Sequence, residues 1–264
     1  LLWLVAILCR SVFLSNYAGG RDIFFQYLEA LNIKQGINPY ERIVGQDLRI
    51  NQKFPTFFPA SYLFLSFITL FSGNDFVLFC FLLRCISLGL ELVVSFLMLR
   101  VCKRYGFPLL GIGSIVFWLF SRWSIYNFAQ VRLDAIAISL AFIAVFLYKK
   151  TSRIWPFLVM SFSLAIKHLG VFMLPLFLFD SLRGKKWGQM LSRAFLLVSV
   201  PVASALPYFV ENPAGFLFSL GFSFTRQPET SNIGYGWDVV TNKIANDILP
   251  LIGLVGTFPG TLLY

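Results

Sequence analysis

The chain has 264 residues, of which 58% are hydrophobic and 13% charged, with a mean hydropathy of +0.75 and a formal net charge of +10. Soluble domains carry about 25% charged residues, so the composition excludes a soluble enzyme, and long apolar runs without ten-residue alternation point to a helical integral membrane protein. Nucleic acid is excluded as a partner, because the basic residues sit between apolar runs and form no soluble basic face.

The apolar runs fall at about 1–14, 57–71, 76–100, 107–121, 134–148, 154–166, 168–182, 190–209 and 247–264. They predict an all-α, polytopic transmembrane bundle forming one domain over 1–264. The first run begins at Leu1 and is short, and no cleavable signal peptide is evident. The chain is therefore expected to be a piece of a longer protein, cut inside its first membrane helix, with the far end open to the same reading.

After the first run comes the polar stretch "NYAGGRDIFFQYLEALNIKQGINPYER" (16–42). Its "DIFFQYLEALN" predicts an interfacial helix with Asp22, Gln26 and Glu29 on one face and Ile23, Tyr27 and Ala30 beside them. Asp22 has two compatible readings. It is an N-cap after a Gly-Gly turn, or a general base held at the end of a membrane helix and aimed into a cavity. "NPYER" ends that helix, because the residue before a proline leaves the helical region; read locally it is a turn.

The next run, in "KFPTFFPASYLFLSF", is led by Pro55 and Pro59 and follows Lys53. It is shorter than the roughly 20 residues a span needs, and is expected to lie in the outer interface. Within 76–100, Arg84 and Glu91 stand seven apart on one face. An ion pair between them is the first expectation, and a cavity wall the alternative.

The runs 107–121 and 134–148, and likewise 154–166 and 168–182, are short pairs. They are expected to meet near or within the outer leaflet, at "SRWSIYNFAQVRLD" and "IKHLG". Polar groups at that depth line a wet cavity or pack in protein. "AQVRLDAIA" starts a helix with Asp134 in its first turn, where the dipole favours a carboxylate. Capping plus an Arg132–Asp134 surface pair is the alternative. "IKHLG" holds the single histidine, His168, beside Lys167. A lysine between membrane helices calls for an anion or water. Arg226, in "FSFTRQPETSNIGYGW", reads locally as an ordinary loop arginine.

Charge sets the sides. Three short connections hold ten of the 22 Lys and Arg residues and no acid: Arg100, Lys103 and Arg104; Lys149, Lys150 and Arg153; Arg183, Lys185, Lys186 and Arg193. The positive-inside rule places them in the cytoplasm. The passages 15–75 and 210–246 then become outer loops. Asp22, Gln26, Glu29, Lys53, Asn127, Gln130, Arg132, Asp134, Lys167, His168 and Arg226 converge on the outer side. The sequence has no D-x-D, P-loop, H-E-x-x-H or G-x-S-x-G. With one histidine, no metal site and no cofactor are expected. Cys9, Cys80, Cys85 and Cys102 lack metal spacing and read as free thiols.

A first membrane helix, an Asp opening an amphipathic helix, "GINPY" and a proline-led apolar segment follow in that order. This order resembles the polyprenyl-phosphate-sugar-dependent glycosyltransferases of the GT-C type, nearest the bacterial polyprenol-phosphate-mannose mannosyltransferases. Their D-x-x-x-Y, G-x-N-P-Y and Y-P-P read here as "DIFFQY", "GINPY" and "KFPTFFP", with the Pro-Pro pair lost. Their G-Q-x-D is matched only by "AQVRLD", with altered spacing. "SLAIKHLGVFMLP" is similar to the K-H segment of the dolichyl-phosphate-glucose glucosyltransferases.

The resemblance implies an inverting hexosyltransferase using a polyprenyl-phosphate sugar and a glycan or glycolipid acceptor. Asp22 would be its base, 15–75 its catalytic loop, and Lys167, His168 and Arg226 its donor-phosphate ligands. Gln26, Glu29, Lys53, Gln130, Arg132 and Asp134 would line the cavity. It also implies a bacterial inner-membrane location, with the site facing the periplasm or exterior and membrane lipids as neighbours. The rival class is a secondary transporter or lipid flippase, which also places ionisable groups in broken helices. Against it stand the absence of an internal repeat and the gathering of polar groups on one side. A polymerase or ligase of surface glycans shares the topology but usually has its large outer loop late in the chain.

Overall fold

The structure is a computed structural model that describes residues 1–16, 20–40, 57–148 and 154–225. Every regular element among them is a helix: α1 (Leu2–Asn16), α2 (Arg21–Lys34), α3 (Pro59–Ser72), α4 (Phe76–Arg104), α5 (Pro108–Phe120), α6 (Arg122–Gln130), α7 (Leu133–Tyr148), α8 (Trp155–Ile166), a 3-10 helix (His168–Met173), α9 (Leu174–Arg183), α10 (Trp187–Glu211) and α11 (Pro213–Thr225). Lys53, Arg226, residues 226–246 of the second expected outer loop and the apolar run 247–264 lie outside the described residues.

Among the described residues, three stretches are long and apolar enough to cross a membrane: Phe76–Arg104, Pro108–Gln130 and Trp187–Glu211, the second longer than the short run expected at 107–121. That supports a helical membrane protein. The other apolar helices are shorter, with 14 residues in α3, 16 in α7 and 12 in α8.

Local chemistry sets the boundaries. Prolines open α3, α5 and α8, where a missing N–H leaves no intrahelical bond unmade. Asp75 caps α4, accepting from the N–H groups of Val77 and Leu78 at 2.8 and 3.0 Å. Inside α10 stand Pro201 and Pro207. Beside the first of these, the Val200 N–H donates across to Ser161 Oγ of α8 at 3.0 Å, so a polar backbone group near the proline finds a partner in the neighbouring helix.

Two apolar cores mark opposite ends of the bundle. One gathers Ile23 and Tyr27 of α2, Leu65 and Ile68 of α3, the first turns of α4 and α7, and Ile166 at the close of α8. The other gathers Ala141 and Ala144 of α7 with Phe157 of α8, Phe177 of α9 and Leu197 of α10. Here Tyr148, closing α7, meets Phe157, Phe177 and Arg193. Both α4 and α7 start in the first core and run away from it. The far end of α4, with Lys103 and Arg104 in its last turn, therefore lies opposite the end that holds α2 and α3; Lys149, Lys150 and Arg153 lie outside the described residues.

α5 and α6 form one apolar stretch broken at Ser121, whose backbone is extended (φ −62°, ψ 147°). The break sits against the middle of α4. Arg10 of α1 reaches it, with Nη2 donating to the Leu119 carbonyl (2.8 Å), Ser124 Oγ (2.6 Å) and Glu91 Oε2 (2.9 Å). This corrects the expected Arg84–Glu91 pair. Seven residues of helix separate two side chains by roughly 10 Å along the axis, too far for a direct bridge. Arg84 turns instead to the carbonyls of Phe128 and Ala129, at 3.3 and 2.8 Å.

Candidate functional site

The helix α2 is as its periodicity predicts, with Ile23, Tyr27 and Ala30 buried. Asp22 lies in its first turn, but the N-cap is Gly20 and makes no side-chain cap bond. The capping reading of Asp22 is therefore corrected: it sits inside the helix, two residues past the cap, with its side chain exposed. A Cβ at position 20 would meet Gln130 Oε1, the movable end of a side chain that packs directly against this glycine. The Gly20 N–H also donates to the Gln130 carbonyl at 3.3 Å. The start of α2 and the end of α6 are thus seated on one another, which brings the Asp22 turn to Gln130. On the same α2 face, Glu29 is buried and accepts from Asn32 Nδ2 at 3.4 Å. Gln26 Oε1 is buried with no hydrogen-bond partner among the described residues, an acceptor that a hydroxyl or water would satisfy.

Between α6 and α7 the chain turns at Val131, with φ 56° and ψ 46°. A β-branched residue in this left-handed region is strained by about 1–3 kcal/mol. Its side chain is buried in the core shared with α2, α3 and α4, which over-determines the turn. Gln130, Arg132 and Asp134 flank this joint. Arg132 leaves Asp134 and goes to Tyr126, with Nη2 3.2 Å from the hydroxyl and the guanidinium 4.9 Å from the ring centre. The Arg132–Asp134 pair is therefore also corrected.

Asp134 bridges to Lys167, whose Nζ lies 2.7 Å from each carboxylate oxygen. Lys167 is the extended residue (φ −158°, ψ 136°) that stops α8 before the 3-10 helix, at the break expected from "IKHLG". The same Nζ is 5.5 Å from the centre of the Phe57 ring. His168 follows with an exposed side chain, outside the three helices of spanning length. Partial desolvation, then the Lys167 ammonium, lower its pKa against the opposite pull of Asp134. At neutral pH it is an uncharged imidazole, able to donate or accept but adding no charge.

"NPY" proves to be more than a turn. Asn38 Oδ1 accepts from the Tyr40 N–H (2.9 Å), and its Nδ2 donates to Glu211 at the end of α10 (2.9 Å). Tyr40 is fully buried among Tyr62, Tyr208 and Phe216, and its hydroxyl donates to the Phe57 carbonyl at 2.7 Å. Its carbonyl lies against Gly215, where a Cβ would collide with it. This joint fixes Phe57, and Phe57 faces Lys167. The sequence offered one signal for it, a tyrosine directly after a proline; that proline does not end α2 as expected, since the helix stops at Lys34 with the turn at Gln35 and Gly36.

The sequence-predicted residues thus fall into two linked groups at one end of the bundle. Asp22, Gln26 and Glu29 rise from α2, with Gln130 at the start of that helix. Asp134, Lys167 and His168 gather at the joints before α7 and after α8. No group of histidine, cysteine or acidic residues among the described ones could hold a metal ion. All four cysteines are free thiols. No protein-family model, no curated protein and no solved structure matches this chain.

Proposed function

We propose that the chain is an integral membrane glycosyltransferase that moves a hexose, mannose or a similar sugar, from a polyprenyl-phosphate carrier to a lipid-linked or surface-glycan acceptor. The observation that carries this reading is the seating of the Asp22 turn on Gln130 at the end of the bundle that also presents Lys167. A carboxylate, amide groups and an ammonium at one end of an apolar bundle suit a donor whose tail stays in lipid while its head meets water.

In this mechanism Asp22 takes the proton of the acceptor hydroxyl, which attacks the anomeric carbon from the side opposite the phosphate and inverts it. Gln26 Oε1 offers a vacant acceptor for a neighbouring hydroxyl of the acceptor sugar. The bond to the phosphate oxygen breaks, and the leaving group gains a second negative charge. Lys167 and the neutral His168 donate hydrogen bonds to it, and stabilisation that grows with this charge lowers the barrier. The bias of basic residues over acidic ones in the three short connections favours a cytoplasmic side for them and an outward-facing site, in a bacterial inner membrane facing the periplasm. Cysteines placed singly at Lys34 and Lys185 in a cysteine-free chain are expected to label from opposite sides of the membrane.

The test is reconstituted protein supplied with polyprenyl-phosphate sugars or nucleotide sugars, with and without EDTA. Transfer is expected from the lipid donor only, and without sensitivity to the chelator. Asp22→Asn is expected to lower turnover by about 10²–10⁴-fold while donor binding persists. Efficient use of a nucleotide sugar would overturn the assignment, and normal turnover of the Asn variant would remove Asp22 from the mechanism.

One observation favours the second reading, a transporter or flippase. A broken helix with an ion pair at mid-length, as at Ser121, Arg10 and Glu91, is also how transporters place polar groups in the membrane. Proteoliposomes that move a lipid-linked sugar between leaflets but never transfer it would establish that reading instead.

A further inference from the structure

Under the transferase reading, on which this inference rests, the contact between Asp134 and Lys167 bears on how the site takes and releases phosphate. Both carboxylate oxygens lie 2.7 Å from the ammonium, and the two side chains stay partly open, the lysine 21% and the aspartate 15% exposed. As a unit the pair is neutral. Lys167 therefore exerts little long-range pull on an anion while Asp134 holds it. His168, uncharged, adds one N–H donor without charge. The two carboxylate oxygens take up two of the three N–H groups of the ammonium, so a phosphate approaching it meets a carboxylate on the same nitrogen, and the two anions repel.

Asp134 has somewhere else to go. It occupies the first turn of α7, where unpaired backbone N–H groups and the helix dipole stabilise a carboxylate. It can give up Lys167 without being stranded. The Phe57 ring, its centre 5.5 Å from Nζ, remains a contact for the ammonium meanwhile.

We infer that Asp134 is an exchangeable counter-ion: it holds Lys167 in the empty protein, yields the ammonium to the phosphate monoester of a bound lipid, and reclaims it as that phosphate departs. The exchange weakens ground-state phosphate binding. It also prevents the leaving phosphate, more highly charged than the donor's ester, from being trapped.

The full chain in phosphatidylcholine nanodiscs is titrated with farnesyl monophosphate and, separately, with inorganic phosphate, using farnesol as the uncharged control. Asp134→Asn is expected to bind farnesyl monophosphate about tenfold tighter, because a like charge has left the site. Asp134→Glu, which keeps the charge, is expected to stay near wild type. The Asp134→Asn, Lys167→Ala double variant is expected to bind no better than Lys167→Ala. An equal gain for inorganic phosphate assigns the site to the phosphate group alone, and a gain confined to farnesyl monophosphate assigns it to a lipid-borne phosphate. Both outcomes support the exchange.

Unchanged or weaker binding by a folded Asp134→Asn variant would overturn it and make Asp134 a fixed positioning group. So would a gain that survives loss of Lys167. If the Asn variant does not fold, the wild type carries the test. Difference infrared spectra of protein bearing carboxylate-labelled aspartate are expected to shift when farnesyl monophosphate is added, and not in Lys167→Ala. An unshifted wild-type spectrum would overturn the exchange. Exchange without any sugar transfer would sink the transferase reading alone, and transfer with unaltered Asp134→Asn affinity would sink the exchange alone.

Discussion

The ion pairs Arg10–Glu91 and Lys167–Asp134 each tie helices together, and their surroundings differ. Arg10 and Glu91 meet at mid-length of α4 with side chains 1% and 2% exposed, while Lys167 and Asp134 meet at the polar end with 21% and 15% exposed. The deep guanidinium spends one nitrogen on Glu91, the Leu119 carbonyl and Ser124, and its Nε and Nη1 find no partner among the described residues. It also lies 5.4 Å from the Phe128 ring centre. That pair has no solvent to fall back on, and its use is to satisfy the break between α5 and α6. The outer pair has water, a helix N-terminus and a neighbouring imidazole as alternatives. The same chemistry is a fixture in one place and an exchangeable contact in the other.

The largest effect expected from breaking this contrast is at Arg10. Arg10→Met leaves Glu91 buried without its counter-charge and the Leu119 carbonyl without its donor. Removing one partner of a buried pair costs about 3–5 kcal/mol. Denaturation in mixed micelles is expected to show a loss of that order, and Arg10→Met combined with Glu91→Leu is expected to recover much of it. A single variant as stable as wild type would show that the deep pair is as dispensable as an exposed one.

Next in size is the joint between the first loop and α10. Gly215→Ala drives a Cβ into the Tyr40 carbonyl and towards Asn212. A backbone atom cannot swing aside, so about 1–3 kcal/mol is expected to be lost. An unchanged melting temperature would mean that α11 is not seated on Tyr40. Tyr40→Phe is milder, removing one hydrogen bond to the Phe57 carbonyl at about 1 kcal/mol. Because Phe57 faces Lys167, this variant is also expected to disturb phosphate binding more than Gly188→Ala, at a helical position with open space around it. Equal effects on binding would cut the link from Tyr40 to the site.

The difference between the two pairs also explains what could be read from the sequence. Hydropathy and proline positions gave most of the helices and many of their ends, including the stop at Lys167 and the amphipathic α2, because these depend on local patterns; α6 and α11 fall in stretches read as a connection and an outer loop. Pairings were not legible in the same way. Arg84 and Glu91 shared a face, so they looked like partners, but only neighbours three or four apart touch along a helix. Arg10, a lone charge in an apolar run, was the signal for the true partner of Glu91. Asp134 and Lys167 lie 33 residues apart on separate helices, and no periodicity announces such a contact. The seat of Gly20 on Gln130 and the strained turn at Val131 were equally hidden, since neither residue type specifies its neighbour.

The smallest effect is expected at the outer pair, where it sharpens the contrast most. Asp134→Asn keeps the size of the side chain and leaves an amide in the first turn of α7. A partly exposed ion pair contributes about 0–1 kcal/mol, so the melting temperature is expected to move by a few degrees at most, even as phosphate affinity changes. Salt separates the cases further. Screening over about 8–10 Å near physiological ionic strength weakens exposed charges and leaves buried ones largely untouched. Added sodium chloride is therefore expected to bring the wild type towards Asp134→Asn in stability and to leave the gap between wild type and Arg10→Met unchanged. If Asp134→Asn destabilises as much as Arg10→Met does, and salt fails to narrow the difference, Lys167 is a structural anchor and cannot be the ammonium that meets a departing phosphate.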